Sequence, residues 1–472
     1  MNSTSVNLLQ RLKSSEAGDA WTRFVELYAP LIFHWARQHA GCLLLVFSIL
    51  LTDISLQESL GWGRGHKLIR TWAVARLPIW QKDLLRPEDW QHLQSDYTSL
   101  QDAHAGGKSP HLDKYCLPPA RLSLHDVGSI EASLPDIQWF IQQTLDHLAR
   151  NEPDEAMKFL GVLCHWNEDP GCPCAHSSPV DEATLRRLLP PTADLANKNY
   201  LFGYGGIADI GNYTIPDEQY RPQLLGTTIP ETAARIYQHQ RLLRTYAAAL
   251  IIPLVQAEIA GNANQADLQR QTAAIYNAKH VADILYTLLC LHENRFTTDE
   301  VEALNTQPLT AWEPDTKMQM ISHPYYVTPF LVNQALDARR NLHPLAFASE
   351  SETESVITHG FGMGTPYTLN YKIGPGIVFD RFTCRVGLHP TAGETGKVAF
   401  AIIVNGVETA RTKFMMPADK PEVIEVSLPT TDIVTVGLQT IPHRASNPLH
   451  NLAVWGDPNL IRAEHVPFRL DN

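Results

Sequence analysis

The sequence predicts a multidomain protein in which an all-α domain, residues 62–340, is followed by an all-β sandwich, residues 350–468. Apolar residues recur at helical spacing through most of residues 62–300. After about residue 345 the pattern changes to a linker at 351–368 and then to short alternating apolar runs, such as Val398–Val404, separated by turn residues. A length of 472 residues suits about three domains, and a hydrophobic content of 44% allows cores of ordinary size.

Residues 1–40 precede these domains and carry an amphipathic helical pattern. The stretch from Thr4 to Arg37 resembles the opening of region 2 of extracytoplasmic-function sigma factors. This resemblance stops before any promoter-reading segment, and no second DNA-binding region follows. We therefore expect a gene fusion, a mis-called start or a long leader rather than a complete sigma factor.

Residues 41–61 have the layout of a secretory signal. A basic residue, Arg37, precedes an apolar run at 42–51, and the small residues Ser59 and Gly61 stand at the −3 and −1 positions. Cleavage after Gly61 would release a secreted, periplasmic or cell-surface protein that begins at Trp62. The run is too short for a membrane span of about 20 residues, and no later apolar run is expected to reach that length. A short buried helix of a cytosolic protein is the alternative.

The helical domain is predicted element by element from the same periodicity. Ser133 is a plausible N-cap for one helix, with Pro135 in its first turn. A loop rich in Gly, Tyr and Asn is predicted at 197–212. The helices run from near His66 past Trp72, over 134–148, over 154–164, and over about 230–260 and 265–292.

Two groups of residues in this domain have the chemistry of metal ligands. After cleavage, the free amine and carbonyl of Trp62 could chelate an ion next to the imidazole of His66. On a helix, His165 and Asp169 lie one turn apart on the same face, and His176 follows from a Pro-rich loop. Histidine and carboxylate ligands suit Zn²⁺, and a carboxylate can bridge two ions that activate one water. A surface His–Asp pair is the alternative for the second motif alone.

Further candidates lie on either side of this motif. Asp102, Asp113 and His125 belong to a polar loop whose plain interpretation is a solvated acidic segment. His280 and Asp283 share one face of the last long helix, in an otherwise apolar stretch. Because an unpaired carboxylate is costly to bury, Asp283 is expected to bind a metal or an Arg or Lys partner.

The cysteines leave two interpretations open. Six of the seven follow Gly61, which is compatible with disulfides in an oxidising compartment. Cys164, Cys172 and Cys174 could instead form a structural zinc site with His176. We favour disulfides for an exported protein.

The opening WGRGH and the His165-x3-Asp169-x6-His176 motif resemble the zinc-dependent phospholipase C and S1/P1 nuclease superfamily, over about 62–295. The resemblance implies an all-α domain with two or three zinc ions, and it implies that Asp102 or Asp113 bridges the ions and orients the attacking water. Each of the two motifs departs from the family spacing by one residue, and the final His-x3-Asp/Glu motif has only an approximate counterpart. The metal ligands that the resemblance assigns are Trp62, His66, His125, His165, Asp169, His176, His280 and Asp283.

The C-terminal runs resemble the NPCBM type of carbohydrate-binding module. The residues that carry this resemblance are FDRFTCRVGLHP, VAFAIIVNGVETARTKFMM and the closing HNLAVWGDPNLI. The resemblance implies a β-sandwich that could hold a polysaccharide. A purely stabilising or docking domain is the alternative.

The net charge and the sequence motifs together limit the classes of function that the protein could have. A net charge of −12 argues against a protein that holds duplex DNA by Lys and Arg alone. The family resemblance implies a zinc hydrolase acting on a phosphate ester, either a phospholipid head group or single-stranded nucleic acid. One alternative is a non-catalytic surface or carbohydrate-binding protein built on a degenerate hydrolase scaffold. A regulator that acts through residues 1–40 is a further alternative.

Overall fold

A computed structural model describes two regions of different secondary structure. The helical region precedes residue 304, and the strands follow it. The predictions for residues 1–61 and for the 197–212 loop lie outside the described residues. Described are Trp62 and residues 65–98, 130–173, 219–315, 323–326, 328–348, 357–431 and 433–462, with single positions at 100, 115, 177, 215 and 321.

The helical region contains two antiparallel pairs of long helices. The pair α4 and α5 is connected by a short turn at 150–152, and the pair α6 and α7 by a short turn at 260–262. A π-helical turn, His92–Asp96, follows α3. The helices are α1 Gly65–Arg76, α2 Ile79–Lys82, α3 Pro87–Gln91, α4 Ile130–Ala149, α5 Pro153–Glu168, α6 Ile229–Ile259, α7 Ala263–Glu293 and α8 Thr298–Ala303.

Most helix predictions are confirmed, with two corrections at helix ends. Helix α4 begins at Ile130, before the predicted start at residue 134, and Ile130 and Leu134 are both buried. Ser133 is therefore a buried interior residue and not the N-cap, and Pro135 lies inside the helix. Helix α5 continues four residues beyond the predicted end at Cys164, so that His165 lies within it and Asp169 is its C-cap.

The two long helices α6 and α7 are capped as their sequences suggest. The Thr228 side chain accepts a hydrogen bond from the Glu231 amide, and the Asn262 side chain accepts one from the Gln265 amide.

By length and composition α6 could cross a membrane, with a mean hydropathy of 1.4 over an 18-residue window. The expectation that no later run reaches that length therefore fails for α6, although core helices of soluble proteins pass the same test.

The second region is a sandwich of two antiparallel sheets. One sheet has the order β10-β7-β12-β5-β2, with β1 also paired to β12, and the other has the order β6-β11-β8-β9. The rings of Phe400 on β8 and Trp455 on β12 meet edge to face across the interior, with centroids 5.3 Å apart. The strands are β1 Thr306–Pro308, β2 Phe330–Val332, β3 Gln334–Leu336, β4 Leu342–Pro344, β5 Gly360–Met363, β6 Tyr367–Ile373, β7 Arg381–Leu388, β8 Val398–Val404, β9 Val407–Arg411, β10 Glu422–Ser427, β11 Val434–Pro442 and β12 Ala453–Ile461.

The predicted sandwich is confirmed, but strands appear earlier than the sequence suggests. Strands β1 to β4 lie before residue 350, the predicted start of the sandwich. The segment 351–368, predicted as a linker, contains all of β5 and the start of β6. Strand β5 is an inner strand between β12 and β2, so its residues belong to the sandwich core.

The helical region and the sandwich contact each other through named side chains. Arg462, just after β12, pairs with Glu231 of α6 at 2.9 Å, and Lys372 of β6 pairs with Glu131 of α4. One continuous cluster of buried apolar residues extends through both regions.

Candidate metal centre

Two histidines from different helices stack in the interior of the helical region. His66 lies in the first turn of α1, and His165 lies in the last turn of α5. Their ring centroids are 4.6 Å apart with an interplanar angle of 21°, and the two residues are 2% and 1% exposed. Two stacked, fully buried imidazoles are unusual for a purely structural core and mark this place as a candidate site.

Asp169 brings a carboxylate next to the Nε2 atoms of both rings. Its Oδ1 lies 3.4 Å from His66 Nε2, and its Oδ2 lies 3.1 Å from His165 Nε2. One ligand atom from each of the three residues can be chosen so that all lie within 4.8 Å of one another. The extension of α5 to Glu168 produces this arrangement, because it places His165 and Asp169 one helical turn apart.

The opposite nitrogen of each ring has its own hydrogen-bond acceptor. His66 Nδ1 lies 2.5 Å from Glu168 Oε2, and His165 Nδ1 lies 2.7 Å from the Thr98 carbonyl oxygen. Since a carboxylate and a carbonyl only accept, Nδ1 is the donor in each of these contacts, and Nε2, which faces Asp169, is the nitrogen that could bind a metal. Metal-binding histidines commonly have such a partner on the second nitrogen.

Glu168 is held in its charged form although it is fully buried. Burial on its own would raise the pKa of this carboxyl group, but the Arg70 guanidinium and His66 lower it to about 2. Arg70 Nε donates to Glu168 Oε1 at 2.8 Å, and Arg70 Nη2 donates to Oε2 at 3.1 Å. Glu168 is therefore an acceptor for His66 and Arg70, and its oxygens are already engaged by these neighbours.

The donor set fits a zinc ion. Two neutral imidazole nitrogens and one carboxylate oxygen are ligands that Zn²⁺ prefers, and three protein ligands are typical of catalytic zinc sites. His66 Nε2 is buried and makes no hydrogen bond. A lone pair in that situation is costly without a partner, and a cation would offset the cost.

Trp62 lies against this group. It is fully buried, and its indole nitrogen donates a hydrogen bond to the Glu168 backbone carbonyl at 2.8 Å. Its own carbonyl oxygen accepts from the Gly65 amide at 2.9 Å, at the start of α1. The structure thus brings Trp62, His66, His165 and Asp169 into one neighbourhood.

His280 and Asp283 lie apart from this group. His280 Nε2 is 3.0 Å from the Asn167 side-chain oxygen, and the His280 ring meets His239 edge-on with centroids 5.3 Å apart. Burial and the neighbouring His239 hold the pKa of His280 well below its usual value. Among the described residues, the three-ligand group includes neither His280 nor Asp283.

Asp283 has partners that the sequence analysis did not foresee. The Tyr220 hydroxyl lies 2.8 and 2.9 Å from its two oxygens, and the Gln223 amide donates to Oδ1 at 2.7 Å. Burial raises the pKa of Asp283 to about 8 despite these hydrogen bonds and the nearby Lys279. The cost of burial is therefore offset by hydrogen bonding and protonation, and a metal-binding role for Asp283 stays a prediction.

Several other predicted residues lie outside the described part of the chain, namely Asp102, Asp113, His125 and His176. Cys164 is a buried free thiol, so the preference for a disulfide is wrong at this position, and Cys290 and Cys384 are buried free thiols as well. Burial raises the pKa of Cys164 to about 12, which keeps the free thiol protonated.

Sequence reasoning missed Glu168 and Arg70. Glu168 stands inside the HWNED motif, between Asn167 and Asp169, yet only the His and the Asp were interpreted. Arg70 follows His66 by four residues, so the two side chains share one face of α1. A basic residue on the same helix face as a candidate ligand is the signal that could have identified it.

Comparison with known proteins assigns a family to most of the β-strand region. The family model of the NPCBM/NEW2 domain matches residues 328–461. Residues 328–461 form an NPCBM domain. This match covers the sandwich from β2 to β12 and confirms the resemblance stated for the C-terminal runs.

Solved structures resemble the NPCBM domain at low identity. A Clostridium perfringens ZmpB structure of CBM51-2 and INT domains with GlcNAc is 15% identical over 33% of this chain and 31% of that chain, with a TM-score of 0.24. The CBM51 of Clostridium perfringens GH95, in complex with methyl-galactose, is 14% identical over 33% of this chain and 99% of that chain, with a TM-score of 0.27. The chain thus spans about a third of the length of the ZmpB structure.

A longer overlap involves Clostridium perfringens alpha-toxin from avian strain SWCP. It is 11% identical over 85% of this chain and 93% of that chain, with a TM-score of 0.30. No curated protein sequence matches the chain.

Proposed function

We propose that this chain is a secreted zinc-dependent phosphoric-ester hydrolase with an appended NPCBM domain. The observation that carries the proposal is the group of His66, His165 and Asp169, in which two Nε2 atoms face one buried carboxylate. The resemblance of the WGRGH opening and the HWNED motif to the phospholipase C and S1/P1 nuclease superfamily supports the same chemistry.

The residues of this chain would have separate tasks in such a reaction. His66 and His165 hold their Nε2 lone pairs in place because Glu168 and the Thr98 carbonyl accept from their Nδ1 atoms. Asp169 would supply the negative charge that favours a cation bound by the two Nε2 atoms. A bound zinc ion would polarise a phosphoryl oxygen and lower the pKa of a bound water toward neutrality.

The resemblance supports a larger ligand set than these three residues. We propose that the amine and carbonyl of a processed Trp62, together with His125 and His176, complete a centre of two or three zinc ions. Asp102 or Asp113 would orient the attacking water. His280 and Asp283 are left out of this set, because Asn167, Tyr220 and Gln223 already engage them.

Export is part of the same proposal. The Trp62 amine becomes available only if the chain is cut after Gly61. N-terminal sequencing of the protein exported by its native host should therefore begin at Trp62. A protein that retains residues 1–40 would contradict both the export and the use of the Trp62 amine.

The decisive experiment measures metal content and activity together. Metal analysis of the processed protein should find two or three zinc ions, and bis-p-nitrophenyl phosphate should be hydrolysed. A chelator and the substitution His165→Ala should each abolish hydrolysis, whereas the control His292→Ala, at the end of α7, should leave it unchanged. Less than one zinc per chain would overturn the proposal. Assays with phospholipid vesicles and with single-stranded DNA then separate the two substrate classes.

A second candidate function is a non-catalytic protein whose NPCBM domain binds a polysaccharide. The observation that favours it is the placement of His280 and Asp283 away from the three-ligand group, where the related enzymes have a further metal-binding pair. This candidate predicts retention on polysaccharide columns without phosphodiesterase activity, even in the zinc-loaded protein.

A further inference from the structure

Arg70 is a fully buried cation next to the candidate metal centre. It is 0% exposed, and it lies on α1 one turn after His66. A guanidinium has five N–H donors in a rigid planar arrangement. Buried charges are costly unless each donor is satisfied, so the partners of these donors indicate what the residue does.

Every donor of Arg70 has an acceptor. Nε and Nη2 donate to the two oxygens of Glu168 at 2.8 and 3.1 Å. Nη1 donates to the carbonyl oxygens of Leu93 and Tyr97 at 3.0 and 3.1 Å. Nη2 also donates to the Gly161 carbonyl at 2.9 Å. One side chain thereby ties α1 to α5 and to the π-helical turn at 92–96.

Two of these contacts lead directly to the histidines. Glu168, which Arg70 holds in a bidentate pair, is the acceptor for His66 Nδ1. Tyr97, whose carbonyl Arg70 holds, is followed by Thr98, whose carbonyl is the acceptor for His165 Nδ1 at 2.7 Å. The acceptors that set the orientation of both rings therefore depend on the same guanidinium.

We propose that Arg70 is the positioning residue of the metal centre, which orients His66 through Glu168 and His165 through the Tyr97–Thr98 segment. The inference rests on the proposed zinc site, and it adds to that site a residue that touches neither metal nor substrate. Lysine could not replace it, because an ammonium group has no planar fork to hold a carboxylate and three carbonyls together.

Gly161 of α5 offers a second way to test this arrangement, independent of Arg70. A Cβ atom at this position would lie 2.8 Å from the Tyr97 carbonyl oxygen and 2.9 Å from Tyr97 Cβ. Glycine normally weakens a helix interior relative to alanine. Glycine is present at position 161 because the Tyr97–Thr98 segment, whose Thr98 carbonyl accepts from His165, passes too close to α5 for a larger side chain.

The experiment compares zinc affinity among full-length variants. Arg70→Lys and Glu168→Gln should each weaken zinc binding by about 10- to 100-fold, the range found when partners of metal-binding histidines are removed. The visible absorption spectrum of the cobalt-substituted protein should change as well, because the ligand geometry changes. Circular dichroism and the Tm measured in chelator report whether each variant is folded.

A matched control separates positioning from general stability. Arg235 and Glu231 of α6 form another buried Arg–Glu pair, with side chains 2% and 3% exposed and outside the metal centre. Arg235→Lys should lower the Tm but leave the zinc affinity of the folded protein and the cobalt spectrum unchanged. An effect on zinc affinity as large as that of Arg70→Lys would overturn the inference.

If Arg70→Lys does not fold, Gly161→Ala tests the positioning role instead. It keeps both charged partners and should still weaken zinc binding, because the new methyl group displaces Tyr97 and with it Thr98. Wild-type affinity and cobalt spectrum in folded Arg70→Lys, or in Gly161→Ala, would overturn the positioning role alone. If the wild-type protein binds no zinc, the proposed function fails and the inference fails with it.

Discussion

Asp283 shows how one buried residue couples stability to pH. Its carboxyl group lies inside α7 and receives hydrogen bonds from Tyr220 and the Gln223 amide. Burial raises its pKa from the ordinary value of 3.8 to about 8. Between these values the folded protein holds a proton on Asp283 that the unfolded chain has released.

The sign of the pH effect follows from proton binding. Because the folded state binds more protons than the unfolded state between about pH 4 and pH 8, this residue lowers stability as pH rises, by up to about 1.4 kcal/mol per pH unit. Asp283→Asn keeps the shape but cannot ionise, so this part of the pH dependence should vanish. Urea unfolding at pH 5, 6 and 7 measures it.

The control for this prediction is Asp83→Asn, at an exposed position after α2. That variant should follow the wild-type pH profile. An Asp283→Asn profile parallel to the wild type would show that Asp283 is ionised in the folded protein.

Residue-scale predictions succeeded where the cause is local. The pairing of His165 with Asp169 depends only on helical geometry, and the sequence alone predicts it. The partners of Asp283 are about 60 residues away in sequence, and the bidentate contact between Arg70 and Glu168 spans 98 residues. No local pattern predicts contacts of that range, so the environment of the site required the structure.

At the scale of elements, β5 illustrates why a strand was mistaken for a linker. Its sequence, Gly360-Phe-Gly-Met363, has the glycine content of a loop. In the fold these glycines allow close approach, because a Cβ on Gly362 would lie 2.4 Å from the Gln334 carbonyl oxygen and 2.7 Å from Ala335 Cα. Strand β8 contains no glycine, and the apolar run Val398–Val404 predicts it correctly.

This packing yields a test on β5. Gly362→Ala should destabilise the protein by on the order of 1–3 kcal/mol, since the methyl group meets backbone atoms that cannot rotate away. Urea denaturation followed by tryptophan fluorescence measures the loss. Val407→Ala on β9, where the side chain is 64% exposed, is the control and should stay within about 0.5 kcal/mol of the wild type. Wild-type stability in Gly362→Ala would contradict the close approach.

At the scale of the whole molecule, the helical region and the NPCBM domain share charged contacts as well as a core. Glu231 of α6 is buried, and both Arg235 and Arg462 lie next to it. Burial by itself would raise the pKa of Glu231, but the two arginines lower it. The Arg462 amide also donates to the Asn305 carbonyl at 2.9 Å, where the chain passes from α8 to β1.

These contacts predict that the two regions unfold together. Strand β1 follows the last helix directly in the chain and pairs with β12, the last strand of the sandwich. Unfolding of either region would therefore disturb the pairing of β1 with β12. Calorimetry should show a single transition, and loss of helical circular dichroism should coincide with exposure of the buried Trp455. Two separated transitions would contradict this coupling.

Arg462→Ala tests the junction directly. It removes a charged hydrogen bond to Glu231 while leaving the Glu231–Arg235 pair in place, and it should cost about 1–3 kcal/mol. Because the lost contact joins the two regions, the loss of helical circular dichroism and the exposure of Trp455 should both move to lower urea concentration. Arg411→Ala, which breaks an exposed pair with Glu408 on β9, should change stability by less than about 1 kcal/mol. A shift confined to one signal would show that Arg462 stabilises the sandwich alone, and the two regions would then be coupled only through their shared apolar core.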